Sequence, residues 1–221
     1  MGQALRLPAE AVVFDSDGVL VESDTSVERA WTAWAVGLGL DPVGLLPLVH
    51  GRPARETVAS LVPASGLEAA LAEIDRLELE DAGMVTALPG AADLLLQLPP
   101  ERWAVVTSAT STLAGARLAA AGLTRPRILV TADDIVRGKP DPEGYATALK
   151  SLGIEPAHAI VVEDTATGIA AAREAGVVTV VGIGIRALRG EPTVVVRDLR
   201  ALSWHGALVV SVEGQIPSTS R

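Results

Sequence analysis

A chain of 221 residues, 49% apolar and only 3% aromatic, can bury one sizeable α/β core built largely from Ala, Val and Leu, with room for a smaller appended module. Its formal charge of −9 argues against a surface made to attract nucleic acid or anionic lipid. It leaves room for an anionic small substrate, because a metal ion and one or two basic groups reverse the potential locally.

There is no cysteine, so disulfides, thiolate chemistry and Cys-based zinc sites are excluded. The N-terminal stretch MGQALRLPAEAVVFDSDG has no signal-peptide core, and the most apolar later run, residues 176–185, is too short to span a bilayer. A cytoplasmic protein is expected.

The first apolar run, residues 11–14, is short, β-branched at its centre and apolar at successive positions, which is how a strand buried on both faces reads. Residues 21–86 then carry no comparable run. They show helical patterns at 26–36, 53–61 and 67–82, with Gly and Pro between them, and Trp31 and Trp34 share a helical face suited to the core of such a module. From there strand-like runs at 103–106, 127–130, 159–162, 177–181 and 193–196 alternate with helical patterns at 91–98, 112–121, 143–152 and 167–175. Several helices stop at a glycine: Gly122, Gly153 and Gly176. The expected fold is α/β, a doubly wound parallel sheet in residues 1–20 and 87–214, with a helical module at 21–86 and a disordered polar tail at 215–221.

In open α/β sheets ligands bind beyond the carboxyl ends of the strands, so the residues just after each run carry the functional information. They are Asp15 and Asp17 in DSDGVL, Thr107 and Ser108 in TSAT, Lys139 in RGKPDP, and Glu163 and Asp164 in EDTATG. Singly, each has a plainer reading: an Asx-turn for DSDG, a helix N-cap for Thr107, Ser108 or Asp164, a surface turn for Lys139. Together, at the ends of four buried strands, they converge. So many carboxylates on one rim call for a divalent cation and a basic group. Gly138-Lys139 is no P-loop, because Pro140 stands where Ser or Thr is required.

The four segments DSDGVL, VVTSA, GKPDPE and VVEDTATGIAAAREAG resemble, in order, the four motifs of the haloacid dehalogenase (HAD) superfamily of phosphohydrolases. HGRPARETV, ERWAVVTSAT and ILVTADDIVRGKPDPEGY look most similar to its glycerol-phosphate and 2-deoxyglucose-6-phosphate phosphatase branch. The resemblance implies a Rossmann-type core with a small helical cap after the first strand, and a phosphatase acting on a small sugar or polyol phosphate. It implies Asp15 as nucleophile, Asp17 as general acid and base, Thr107 and Ser108 on the phosphoryl oxygens, and Lys139 neutralising Asp15 and phosphate together. Mg²⁺ is implied as cofactor, held by the Asp15 side chain, the Asp17 main-chain carbonyl and Asp164, with Glu163 either a further ligand or behind it.

The cap is expected to choose the leaving group, through His50, Arg52 and Arg55 at the start of its second helix. A β-phosphoglucomutase-like hexose-phosphate mutase is the alternative, since Val19 stands where many phosphatases carry Thr. Dehalogenation is disfavoured by Asp17, which it does not need, and a non-catalytic scaffold by the presence of every motif residue. The expected partner is a small phosphorylated metabolite, and nothing calls for assembly beyond a monomer or weak dimer.

Overall fold

The computed structural model describes residues 4–49 and 51–217. Six strands form the central sheet: β2 (Ala11–Phe14), β5 (Trp103–Val106), β6 (Leu129–Val130), β7 (Ala159–Glu163), β8 (Thr179–Ile183) and β9 (Val194–Val196). Their order is β6-β5-β2-β7-β8-β9 and every neighbouring pair is parallel. The chain therefore steps outward from β2 to β6, returns beside β2, and steps outward the other way. That reversal leaves a crevice beyond the carboxyl ends of β5, β2 and β7.

Side chains of a strand alternate between faces, and both faces here are apolar. Val12 and Phe14 of β2 join Trp103, Val105, Ile160 and Val162 in one buried cluster with Leu94, Leu95 and Leu118 from α5 (Ala91–Gln97) and α6 (Ser111–Ala120). Val13 joins Ala104, Val106 and Val161 in another, closed by Tyr145, Leu149 and Ile169 from α7 (Glu143–Leu152) and α8 (Ala166–Glu174). A strand covered on both sides has no solvent face to alternate with, so its apolar run is uninterrupted.

Between β2 and α5 the chain leaves the sheet through β3 (Val21–Glu22) and returns through β4 (Thr86–Ala87), paired antiparallel as Val21 with Ala87 and Glu22 with Thr86. Between them lie α1 (Asp24–Gly37), α2 (Pro42–Leu45), α3 (Ala54–Ala59) and α4 (Leu67–Asp81), with an apolar cluster of their own. Trp31 and Trp34 pack edge to face in it at 5.4 Å, and the Trp34 indole N–H donates to the carbonyl of Ala70 at 2.8 Å, binding α1 to α4.

Besides the ribbon of β3 and β4 and the short α2, two features depart from expectation. A second sheet, β1 (Ala4–Leu7), β11 (Leu208–Ser211) and β10 (Leu202–Trp204), is antiparallel in that order and has no doubly buried run to mark it, because β1 is largely exposed and β11 alternates. The start of the tail, expected to be disordered over 215–221, pairs with the sheet. Gln215 bridges to Val196 and the Ile216 N–H donates to the carbonyl of Val195 at 2.8 Å, so the free edge of β9 recruits it; residues 218–221 lie outside the described residues. Among the described residues no helix is long and apolar enough to cross a membrane.

Trp34→Ala should lower stability by roughly 3–5 kcal/mol, the usual cost of emptying a buried aromatic site. Urea unfolding measures it. A loss below about 1 kcal/mol would mean the indole is not the centre of the helical module's core.

Candidate active site

The crevice residues are held by the sheet itself. The Asp15 N–H still donates to the carbonyl of Val162 and the Thr107 N–H to that of Val130, each at 2.9 Å, so both side chains leave from backbone locked to a neighbouring strand. After Asp15 the chain folds back tightly: the N–H groups of Leu20 and Val21 both donate to the carbonyl of Ser16, at 2.8 and 3.0 Å. Gly18 makes this turn at φ +80°, and a Cβ there would lie 2.3 Å from Asp164 Oδ2. Only glycine lets the first loop approach the last acid so closely.

At the centre is Lys139, 5% exposed. Its ammonium donates to Asp15 Oδ1 and to Glu163 Oε1, both at 2.7 Å, and lies 5.3 Å from the ring centre of Tyr145. Burial works against its charge, but Asp15 and Glu163 outweigh it and hold the pKa well above the usual lysine value. Burial pushes Asp15 up to about 7, with Glu163 and Asp17 adding to it and Lys139 opposing. Asp164 is likewise raised, first by burial, then by Glu163 and Asp15. One lysine does not offset three buried acids.

The donor set fits a hard cation. Asp15, Glu163 and Asp164 each offer a carboxylate oxygen, all within 4.8 Å of one another. Asp164 Oδ2 accepts from Arg186 at 2.8 Å, while its Oδ1 is buried without a hydrogen-bond partner. An unpaired, desolvated carboxylate oxygen beside another acid is costly unless a cation takes it, and an all-oxygen set suits Mg²⁺ or Ca²⁺ rather than a softer metal. Glu163 differs from its neighbours. Oε1 accepts from Lys139 and Tyr145; Oε2 accepts from the N–H of Asp164 (2.8 Å) and the N–H and hydroxyl of Thr165 (2.7 and 2.9 Å).

Asp17 stands apart from the Lys139 cluster, with its side chain 28% exposed. It accepts from the Ser23 hydroxyl at 2.6 Å, Arg117 at 3.0 Å and the Thr107 hydroxyl at 3.3 Å. Thr107 in turn accepts from the N–H of Ala109 at 3.1 Å, and the Ser108 hydroxyl donates to the carbonyl of Gly51 at 3.2 Å, across the cleft. The inserted helices thus cover the crevice, enclosing about 410 Å³ lined by Asp15, Asp17 and Asp164 on one side and Trp31 and Leu71 on the other.

Of the residues named from the sequence, Asp15, Lys139, Glu163 and Asp164 meet in one cluster, Asp17 and Ser108 line the same cleft, and Thr107 donates to Asp17. Arg52 and Arg55 line the cleft from α3 and the turn before it, Arg55 being paired with Glu68 at 3.0 Å in the open. His50 lies outside the described residues. Three further charged residues belong to the site: Arg186 in the loop after β8, past the run read at 177–181, and Arg117 and Glu78, which follow no strand directly. Arg186, in the turn at Ile185–Gly190, bridges Asp164 and Asp24; Arg117 and Glu78 form a buried pair at 3.1 Å. The sequence carries one signal for the pair: each sits on the apolar stripe of its helix, among Leu113, Ala114 and Leu118 or Ala70, Leu71 and Ile74.

Comparison with known proteins agrees with this architecture. The chain is 40% identical to hexitol phosphatase A of Escherichia coli over 169 residues, covering 74% of this chain and 78% of that protein. It is 31% identical to 2-deoxyglucose-6-phosphate phosphatase 1 of Saccharomyces cerevisiae over 197 residues, covering 78% of this chain and 79% of that protein. A hydrolase structure from Pseudomonas syringae superposes with a TM-score of 0.75 at 26% identity, covering 86% of this chain and 93% of the other. The sequence profile of haloacid dehalogenase-like hydrolases matches residues 9–176. The chain belongs to the haloacid dehalogenase-like hydrolase family.

Proposed function

We propose that this hydrolase is a Mg²⁺-dependent phosphatase of a small sugar or polyol monophosphate, with Asp15 as nucleophile. The observation that carries it is Asp15 itself: a buried carboxylate at a strand end, gripped by Lys139 and set beside the unpartnered oxygen of Asp164. The names of the relatives, a hexitol phosphatase and a deoxyglucose-phosphate phosphatase, support the substrate class.

Asp15 attacks phosphorus, the bond to the leaving oxygen breaks, and Asp17 gives that oxygen its proton; water then cleaves the aspartyl-phosphate as Asp17 takes a proton back. Lys139 offsets the charge of Asp15 and of the arriving phosphoryl group, while Thr107 and the Ser108 N–H bind its oxygens. Asp15, Asp164 and the Asp17 carbonyl would hold Mg²⁺, which when bound offsets repulsion between carboxylate and phosphate and polarises the phosphoryl oxygens.

Glu163 serves as the support of Lys139 rather than as a metal ligand. Its two oxygens already accept from five donors, against roughly four lone-pair directions on a carboxylate. Residues 21–86 act as a cap on the core formed by 1–20 and 87–214, and the cap's Arg52 and Arg55 take part in choosing the leaving group. The cleft of about 410 Å³ suits a small ligand. His50 remains a specificity candidate from the sequence alone.

Phosphate release from a panel of sugar, polyol, glycolate and nucleoside monophosphates, with Mg²⁺ and with EDTA, tests the reading. Release should require Mg²⁺, favour sugar or polyol esters and vanish in Asp15→Asn. Near-normal turnover by that variant would contradict it, and isomer without free phosphate, from a hexose 1-phosphate with a bisphosphate activator, would favour the mutase. The role of Glu163 has a separate test at Gly168, in the first turn of α8, where a Cβ would lie 1.6 Å from Glu163 Oε1. Ala normally exceeds Gly in a helix by about 0.8–1.0 kcal/mol. Because five donors fix the carboxylate, Gly168→Ala should instead destabilise by about 1–3 kcal/mol in urea unfolding. A stabilised variant would show that Glu163 is free to move.

A further inference from the structure

Arg117 belongs to none of the strand-end loops, yet its side chain is 4% exposed at the reaction cleft. It rises from α6 in the core and divides its guanidinium between two acids: Nη1 lies 3.0 Å from Asp17 Oδ1, and Nη2 lies 3.1 Å from Glu78 Oε1. Glu78 comes from α4, in the inserted helices, and is itself 7% exposed.

Burying the Arg117–Glu78 pair demands a reason, since apolar residues of similar volume are often at least as stable. A pair built only to fasten α4 to α6 would favour the two-pronged arginine–carboxylate geometry, which is the stronger one. Here the fork is split, and Nε is left buried without a partner. The arginine gives up its own best pairing to reach Asp17. Burial raises the pKa of Glu78, against the pull of Arg117, and the two acids together hold Arg117 charged despite its burial.

On the proposed phosphatase mechanism, we infer that Arg117 is a positioning residue for Asp17: held from behind by Glu78, it fixes the carboxyl that passes a proton to the leaving group and ties that alignment to the seating of α4 over the core. Withdrawing α4 removes Glu78 and leaves the guanidinium to Asp17 alone. The proton carrier is thus correctly set only when the inserted helices are closed on the site.

A proton is needed by an alkoxide leaving group and hardly at all by p-nitrophenolate, so the ratio of kcat/KM for an alkyl monophosphate to that for p-nitrophenyl phosphate isolates the function of Asp17. We would measure it with Mg²⁺ for the wild type, Arg117→Lys, Glu78→Gln and Asp17→Asn, taking as alkyl ester the best substrate of the panel. Lys keeps the charge but not the fork that spans two acids, and Gln keeps the shape of Glu78 without its charge. Both variants should lower the ratio about tenfold or more toward the Asp17→Asn value, within the roughly two to four orders of magnitude that acid–base help supplies. A loss shared equally by both esters, with the ratio unchanged in Arg117→Lys and Glu78→Gln but lowered in Asp17→Asn, would make the pair a mere fastening and overturn the inference while sparing the mechanism. An unchanged ratio in Asp17→Asn would remove the acid assignment, and the inference with it.

Discussion

The site depends on one buried ammonium group shared between two carboxylates. Lys139 reaches Asp15 and Glu163 at equal distances, where little water can help any of them. Taking each such ion from water costs several kcal/mol, which only close pairing offsets. The pairing is incomplete: Asp164 adds a third acid, and Arg186 covers only one of its oxygens. What remains is a negative hollow beside Asp15. On the proposed mechanism a cation would complete it, and a phosphoryl group would then complete the charge balance around the lysine.

The sheet order explains why these groups meet. Asp15 follows the central strand β2, Thr107 follows its neighbour β5 on one side, and Glu163 ends its neighbour β7 on the other. Three adjacent carboxyl ends therefore deliver Asp15, the Thr107 hydroxyl and the acids Glu163 and Asp164 without any long loop having to hold a precise shape. The inserted helices leave and return through one short antiparallel ribbon, β3 with β4, immediately after the DSDG turn. Their position and that of Asp17 are consequently linked through a few residues, Ser23 among them, which donates to Asp17 directly.

This geometry also decides what can be read from the chain alone. Strands buried on both faces announce themselves: residues 11–14 and 103–106 have the same bounds in the sequence pattern and in the fold, as does the helix at 143–152, while the runs at 127–130 and 177–181 become strands at 129–130 and 179–183. The strand-end acids and hydroxyl stand out because a polar residue directly after an apolar run breaks a pattern that burial would otherwise continue, while Lys139, well past the run that ends at Val130, stands out by the GKPDPE segment. Half-exposed strands carry no such mark, so the small sheet of β1, β10 and β11 is not legible in the sequence. The pairing of Gln215 and Ile216 depends on an edge of β9 that only the assembled sheet provides. Arg117 and Glu78 are hidden for another reason. Each is marked only by a charge on the apolar stripe of its helix, and the meaning of that charge comes from a partner 39 residues away.

The central claim is that Asp15 carries the phosphoryl group. Rapid-quench reaction with a ³²P-labelled monophosphate, followed by digestion and mass spectrometry, addresses it directly. A hydroxylamine-sensitive label on the peptide bearing Asp15, formed and lost at rates that match turnover, is the expected result. Label on any other side chain would contradict the account.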